Sequence, residues 1–246
     1  LMAATLGGHI SLVSFLIEEG SGVNIRDQQG RTALMMACET DRIEIARILL
    51  DNRADPNQSD KQGATPMMIA SSKGNVQIIQ LLVDHNAKTC LADNEGQTPL
   101  MIACHFGHRE VVRVFVSKQF KKKNVGSGLT LQDNRGLSPL MIACLNNHTE
   151  IVRILPVDSY RLSMKDKEGR TPLMIACQHS NLEIVRIILE NEVCGTMNGD
   201  NDGKTPLMVA CELRRVDVVR LFMEKHLSRS KKTEGKNESV IGLRAQ

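Results

Sequence analysis

Apolar residues along this chain arrive in short bursts, two to a cycle, and the cycle repeats. Within residues 166–190, Leu173, Ala176 and Cys177 fall at helical spacing. After a polar break at Ser180-Asn181, Ile184, Val185, Ile187, Ile188 and Leu189 form a second burst that is apolar around most of a helix. This spacing predicts two short helices joined by a turn, the second buried on more of its surface. The residues ahead of the first burst agree. Asp166 to Gly169 reads as a tight turn, with Gly supplying a positive φ and Asp accepting local amide hydrogen bonds. Thr171 suits an N-cap, and Pro172 suits the first helical position, where a missing N–H is no loss.

The same seven residues mark each cycle. TPLMIAC stands at 98–104 and 171–177, with close copies at 32–38, 65–71, 138–144 and 205–211. A glycine two residues ahead of each copy (Gly30, Gly63, Gly96, Gly136, Gly169, Gly203) sets intervals of 33, 33, 40, 33 and 34 residues. Leu1-Met2-Ala3-Ala4 falls on Leu34-Met35-Met36-Ala37, so one truncated and six full units cover residues 1–225. The long interval carries an insertion within about 117–130, and residues 226–246 lose the pattern and read as a polar, basic, disordered tail. Neither helix of a unit can bury its apolar face alone, so the units must stack on their neighbours. The mid-unit start and missing initiator Met lead one to expect a fragment of a longer protein. Pro156 stands late in a second helix where other units have Leu or Val, which predicts an early helix end and a weak point over 150–162.

The Asp-x-x-Gly-x-Thr-Pro-Leu punctuation at a 33-residue period resembles the ankyrin repeat family across residues 1–225. The resemblance implies an all-α solenoid of stacked helix-turn-helix units with projecting hairpin loops, serving binding rather than catalysis. Two departures stand out. The family's His after Thr-Pro-Leu is Met here in every unit, which predicts an adaptable apolar column in place of hydrogen bonds. The family's second Ala is Cys at 38, 104, 144, 177 and 211, and Ser71 in one unit. The resemblance also implies where a partner touches: the end of the first helix and the hairpin tip. Those positions include Lys73, His105, Phe106, Arg135, Asn146, Gln178, His179 and Leu213. Phe106, Leu137 and Leu145 form an apolar run among polar neighbours, with Arg135 beside it, the composition of a binding hot spot. A loop asparagine ahead of the hairpin is a hydroxylation acceptor in the family. Asn24 and Asn57 match that position, and a purely hydrogen-bonding role stays open for both.

Charge refines the choice of partner. The chain carries +3, but its last 22 residues hold six Lys/Arg against Glu234 and Glu238, which leaves the repeat body near −1. That balance argues against a broad nucleic-acid face. Lys118, Lys121, Lys122 and Lys123 in the insertion could still touch an acidic partner, nucleic acid or anionic lipid, though a solvated loop is the plainer reading. Met-x-x-Cys at i,i+3 could present soft ligands for Cu(I). Copies one packed helix apart (~8–10 Å) are too far for shared ligation, so core filling is the reading adopted. No nucleophile turn, phosphate-cradling glycine loop or metal-binding His motif is present. The sequence thus predicts a non-enzymatic scaffold or adaptor without cofactor, binding another protein through a concave helix-end and hairpin-tip surface. The alternative is a regulatory or targeting segment of a larger enzyme or channel. Seven cysteines place the chain in a reducing compartment, the cytoplasm, and Arg229-Ser-Lys-Lys leaves the nucleus open. No signal peptide or membrane span is visible, and a monomer is expected.

Overall fold

The computed structural model describes residues 1–117, 128–179, 181–191 and 198–225. The basic-loop lysines at 118 and 121–123, and the tail, lie outside the described residues. The described residues are helical, with no β-strand among them. Two compact units are present, Leu1–Pro156 and Val157–Gln246.

In the first unit the helices are α1 (Met2–Gly7), α2 (Ile10–Glu18), α3 (Ala33–Glu39), α4 (Ile43–Asp51), α5 (Pro66–Lys73), α6 (Val76–Asp84), α7 (Pro99–Phe106), α8 (Arg109–Val116), α9 (Pro139–Leu145) and α10 (Thr149–Ile154). First helices pack on first helices (α1, α3, α5, α7, α9), and second helices on second helices (α2, α4, α6, α8, α10). In the second unit α11 (Ser159–Ser163) precedes α12 (Pro172–His179), α13 (Leu182–Asn191), α14 (Pro206–Glu212) and a helical stretch over 216–225. There α12 packs on both α13 and α14.

The first helices α3, α5, α7, α9, α12 and α14 start as their sequence dictates. The hydroxyls of Thr32, Thr65, Thr98, Ser138, Thr171 and Thr205 accept the N–H of the residue three places on, at 3.3–3.4 Å. The methionine column is more than apolar filling. The backbone N–H groups of Thr65, Ser138 and Thr171 each donate to the Sδ of Met68, Met141 and Met174 at 3.4 Å. The thioether therefore closes a reciprocal cap in which the sulfur stands where Glu or Gln usually does. The expectation that Met replaces hydrogen bonding with shape alone is corrected accordingly: a buried N–H beside the cap needs an acceptor, and sulfur is within reach.

The hairpins form their own ladder. In each, the leading Asp accepts amides two and four residues on, as Asp60 Oδ1 does from Gln62 and Ala64 at 2.9 and 2.8 Å. Burial raises the Asp27 pKa, but hydrogen bonds from the Arg31 and Gln29 amides and the Arg31 guanidinium outweigh it and hold the carboxyl below its ordinary value. Successive hairpins then join: Lys61 N–H donates to Gln29 O at 2.9 Å, and Asn94 N–H to Gln62 O at 3.0 Å. This contact is why glycine sits at the tip. A Cβ on Gly63, whose φ is +82°, would stand 2.8 Å from Asn94 N.

Pro156 acts as its chemistry predicts. Helix α10 stops at Ile154, and Leu155 is extended at φ −67°, ψ 140°, as the residue before proline must be. The boundary between the two units falls at this proline.

Candidate partner-binding surface

The first helices end side by side, and their last residues form a continuous strip within each unit. In the first unit a shallow groove of about 450 Å³ runs between the ends of α3 and α5, lined by Glu39, Asp41, Lys73 and Asn75 among others. Its acidic side is partly committed: Glu39 lies 3.8 Å from Arg31, and the Asn75 amide donates to Asp41. Lys73 is exposed at the end of α5.

The strip becomes aromatic at α7. Phe106 is 55% exposed. Its ring meets His105 edge-on, with centroids 4.9 Å apart at 89°, and stacks over His108 at 6.2 Å and 27°. Both histidines are held in turn. His108 Nε2 hydrogen-bonds Ser72 O of the preceding repeat at 2.8 Å, while His105 Nδ1 lies 3.4 Å from the Asn146 amide. The next repeat copies the device, with His148 Nε2 at 3.0 Å from His105 O. The glycines that end α5 and α7 make room for the His108 and His148 rings: a Cβ on Gly74 would stand 2.6 Å from His108 Nδ1, and one on Gly107 2.7 Å from His148 Cε1. His105, Phe106 and His108 are neighbours in the chain, and the stack brings Asn146 of the next repeat to them. His108 and His148 were not among the predicted contact residues, although their recurrence ahead of the second helix was a usable signal.

Two predicted members of the cluster stand differently. Leu137 is 3% exposed and belongs to the core. It follows the hairpin glycine, but its N–H donates to Asp133 and its C=O accepts from the Asp133 N–H, at 2.8 and 3.0 Å. This turns the side chain inward from the tip, so Leu137 is withdrawn from the surface. Arg135 is exposed, but its guanidinium is folded onto the Asp133 carboxylate at 3.1 Å. Leu145 and Asn146 are half-buried at the end of α9, where the Asn146 amide also donates to Ile142 O at 2.9 Å.

In the second unit Gln178 is half-buried, and its carbonyl accepts from Arg215 at 3.3 Å; His179 is exposed. Leu213 is exposed beside Glu212, whose carboxylate holds Lys204 at 2.9 Å. That hydrogen bond raises the ammonium above its ordinary range.

Asn24 and Asn57 are exposed and half-buried loop residues whose amides bridge repeats. Asn24 accepts from Asp55 N–H at 2.8 Å and donates to Arg53 O at 3.1 Å, and Asn57 accepts from Lys88 N–H at 2.6 Å. Among the described residues no group of three or more His, Cys, Asp or Glu is placed to hold a metal ion. Cys38, Cys104, Cys144 and Cys177 are buried, and burial pushes the Cys38 and Cys104 thiols far up, with Cys144 adding to the shift at Cys104. Among the described residues no helix is long and apolar enough to cross a membrane.

A family model described as ankyrin repeats (3 copies) matches residues 1–60, 52–126, 90–160, 118–193 and 157–233. The human ASB11 ankyrin repeat domain is similar in fold, with a TM-score of 0.67 over 85% of this chain and 90% of that one at 24% identity. No curated protein matches the sequence.

Proposed function

Because the chain belongs to the ankyrin repeat family, we propose that it is a non-enzymatic scaffold or adaptor that captures a partner protein on the helix-end strip of its first unit. Ankyrin repeats are generally protein–protein interaction modules, and partner identity is a property of the site rather than the fold. The carrying observation is the state of Phe106. The chain has five Phe, one Tyr and no Trp; Phe15 in the first repeat is also 55% exposed, but within the helix-end strip the exposed aromatic is Phe106. Its ring is already held by two histidines that are themselves tied to neighbouring repeats. An ordered aromatic anchor loses little conformational freedom on binding, and such anchors dominate interface energies. Lys73, Asn146 and the exposed hairpin tips supply the polar rim. The buried, reduced cysteine column suits a cytoplasmic setting.

The test is affinity capture with three baits, each first shown to be folded by circular dichroism: the parent chain, Phe106→Ala/Leu145→Ala, and Lys121→Ala/Lys122→Ala/Lys123→Ala. A protein retained by the parent and the lysine variant but lost by the strip variant is the expected outcome. The Phe106→Ala change alone should weaken that partner by about 30-fold, near 2 kcal/mol. Loss confined to the lysine variant would transfer the function to the basic insertion.

A further inference from the structure

Charge is distributed unevenly along the helix-end strip of the first unit. The turns that follow α5, α7 and α9 (72–77, 105–109 and 145–149) carry Lys73, Arg109 and three histidines, and no Asp or Glu. Lys73 is exposed and has no carboxylate partner among the described residues. One repeat on, the Glu110 carboxylate lies 3.1 Å from Arg109 and 3.7 Å from Arg113, so two guanidiniums share one anion. The acids of the strip stand earlier, on the α3 side, and both are engaged: Glu39 by Arg31 and Asp41 by the Asn75 amide. Carboxylates on the hairpin side are turned to their own loop. Asp93 accepts the Glu95 and Gln97 amides at 2.9 and 2.8 Å, and Glu95 accepts from the Gln97 side chain at 3.4 Å. The helix ends from α5 to α9 are therefore net positive.

Phe106 belongs to this positive stretch. It ends α7 as Lys73 ends α5, at the same position of the next repeat. His105 beside it is exposed. The Asn146 amide donates to His105 Nδ1, which puts the imidazole proton on Nε2. Among the described residues that N–H has no acceptor. An exposed apolar ring thus comes with an unpaired N–H donor next to it and an unpaired ammonium one repeat back. Packed helices lie about 8–10 Å apart and an extended chain rises about 3.3 Å per residue, so side chains reaching Lys73 and Phe106 are about three residues apart.

We propose, resting on the strip as the binding surface, that the partner presents an extended acidic segment to it. An Asp or Glu carboxylate of that segment pairs with Lys73, and an apolar side chain about three residues away covers Phe106. A carboxylate is the anion that fits. One ammonium and one imidazole N–H match a single negative charge, whereas a phosphate group is best met by a guanidinium fork. The Arg109 fork is already committed to Glu110. Glu39 and Asp41 set the limit of the acidic stretch, because a further carboxylate over the α3 end meets like charge. The Lys73 pair is exposed to solvent, so it selects the partner more than it tightens binding, and Phe106 dominates the affinity.

Selection of displayed random peptides on the full chain tests this, with Lys73→Glu, Lys73→Gln and Phe106→Ala as parallel baits. All three changes fall on exposed side chains, and circular dichroism checks that each bait is folded. The parent should enrich peptides that carry an Asp or Glu at the stated spacing from a Leu, Ile or Phe. Lys73→Glu should enrich Lys or Arg in place of the acid, and Phe106→Ala should lose the apolar preference. In one selected peptide, Glu replaced by Gln should bind the parent about 5-fold more weakly and bind the Lys73→Gln chain unchanged. The same peptide with phosphoserine in place of Glu should bind the parent no more tightly. An absence of enriched peptides, an acid preference that survives in Lys73→Glu, or tighter binding of the phosphoserine peptide each overturns the proposal. Peptides that depend on Phe106 without an acid preference sink the acidic partner and leave the strip as the binding surface. Peptides indifferent to Phe106 sink both.

Discussion

Why the repeats use cysteine is settled at the scale of single side chains. The position after Ala in the first helix is fully buried in six repeats, where it is Cys38, Cys104, Cys144, Cys177, Thr5 or Ser71, and exposed in the last, where it is Cys211. The hydroxyls of Thr5 and Ser71 are buried without a hydrogen-bond partner. A thiol at that place is a small hydrophobe that tolerates the same isolation, whereas a hydroxyl there keeps its full desolvation cost. Ser71→Cys should therefore stabilise the protein by about 1 kcal/mol, read as a higher urea midpoint at unchanged m-value. An unchanged midpoint would mean the Ser71 hydroxyl finds water. The same burial governs reactivity. Ellman's reagent should modify exposed Cys211 in the native protein, and Cys38, Cys104, Cys144 and Cys177 only after denaturant is added. Fast native labelling at any of these four would contradict the packing described.

Among elements, the helices and hairpins were legible because their signals are local: a hydroxyl cap, a proline at the first position, a glycine at the tip. The helix end at Ile154 was legible for the same reason. The amides of residues 155 and 157–161 should exchange with deuterium well before those of 184–189 in α13; equal protection would show that proline does not weaken this segment. Other features were hidden because they depend on a neighbour. Leu137 looks exposed beside a hairpin tip, yet the Asp133 hydrogen bonds turn it inward. Arg135 reads as a free cation until its guanidinium is seen on the carboxylate two residues away. Methionine carries no hydrogen-bond signal in a hydropathy pattern, so its role as cap acceptor emerges only when the sulfur is placed 3.4 Å from an amide. Met174 and Met208 stand in near-identical heptapeptides, and only the surroundings make one buried and the other exposed.

At the scale of the whole molecule, short-range contacts repeated many times make each unit a preordered surface. The strip at Phe106 was half legible. The aromatic position follows from the repeat register and His105 and His108 flank it in the chain, while stacking brings Asn146 of the next repeat to His105 and Ser72 O of the preceding one to His108. The most direct test replaces single residues with a photo-crosslinking amino acid and exposes the chain to the captured partner. The positions are Phe106 and Asn146 on the strip, and Glu150 on the exposed side of α10 as reference. The account predicts adducts with the same partner from 106 and 146 and none from 150. Adducts from 150 with none from 106, while the partner remains bound, would contradict it.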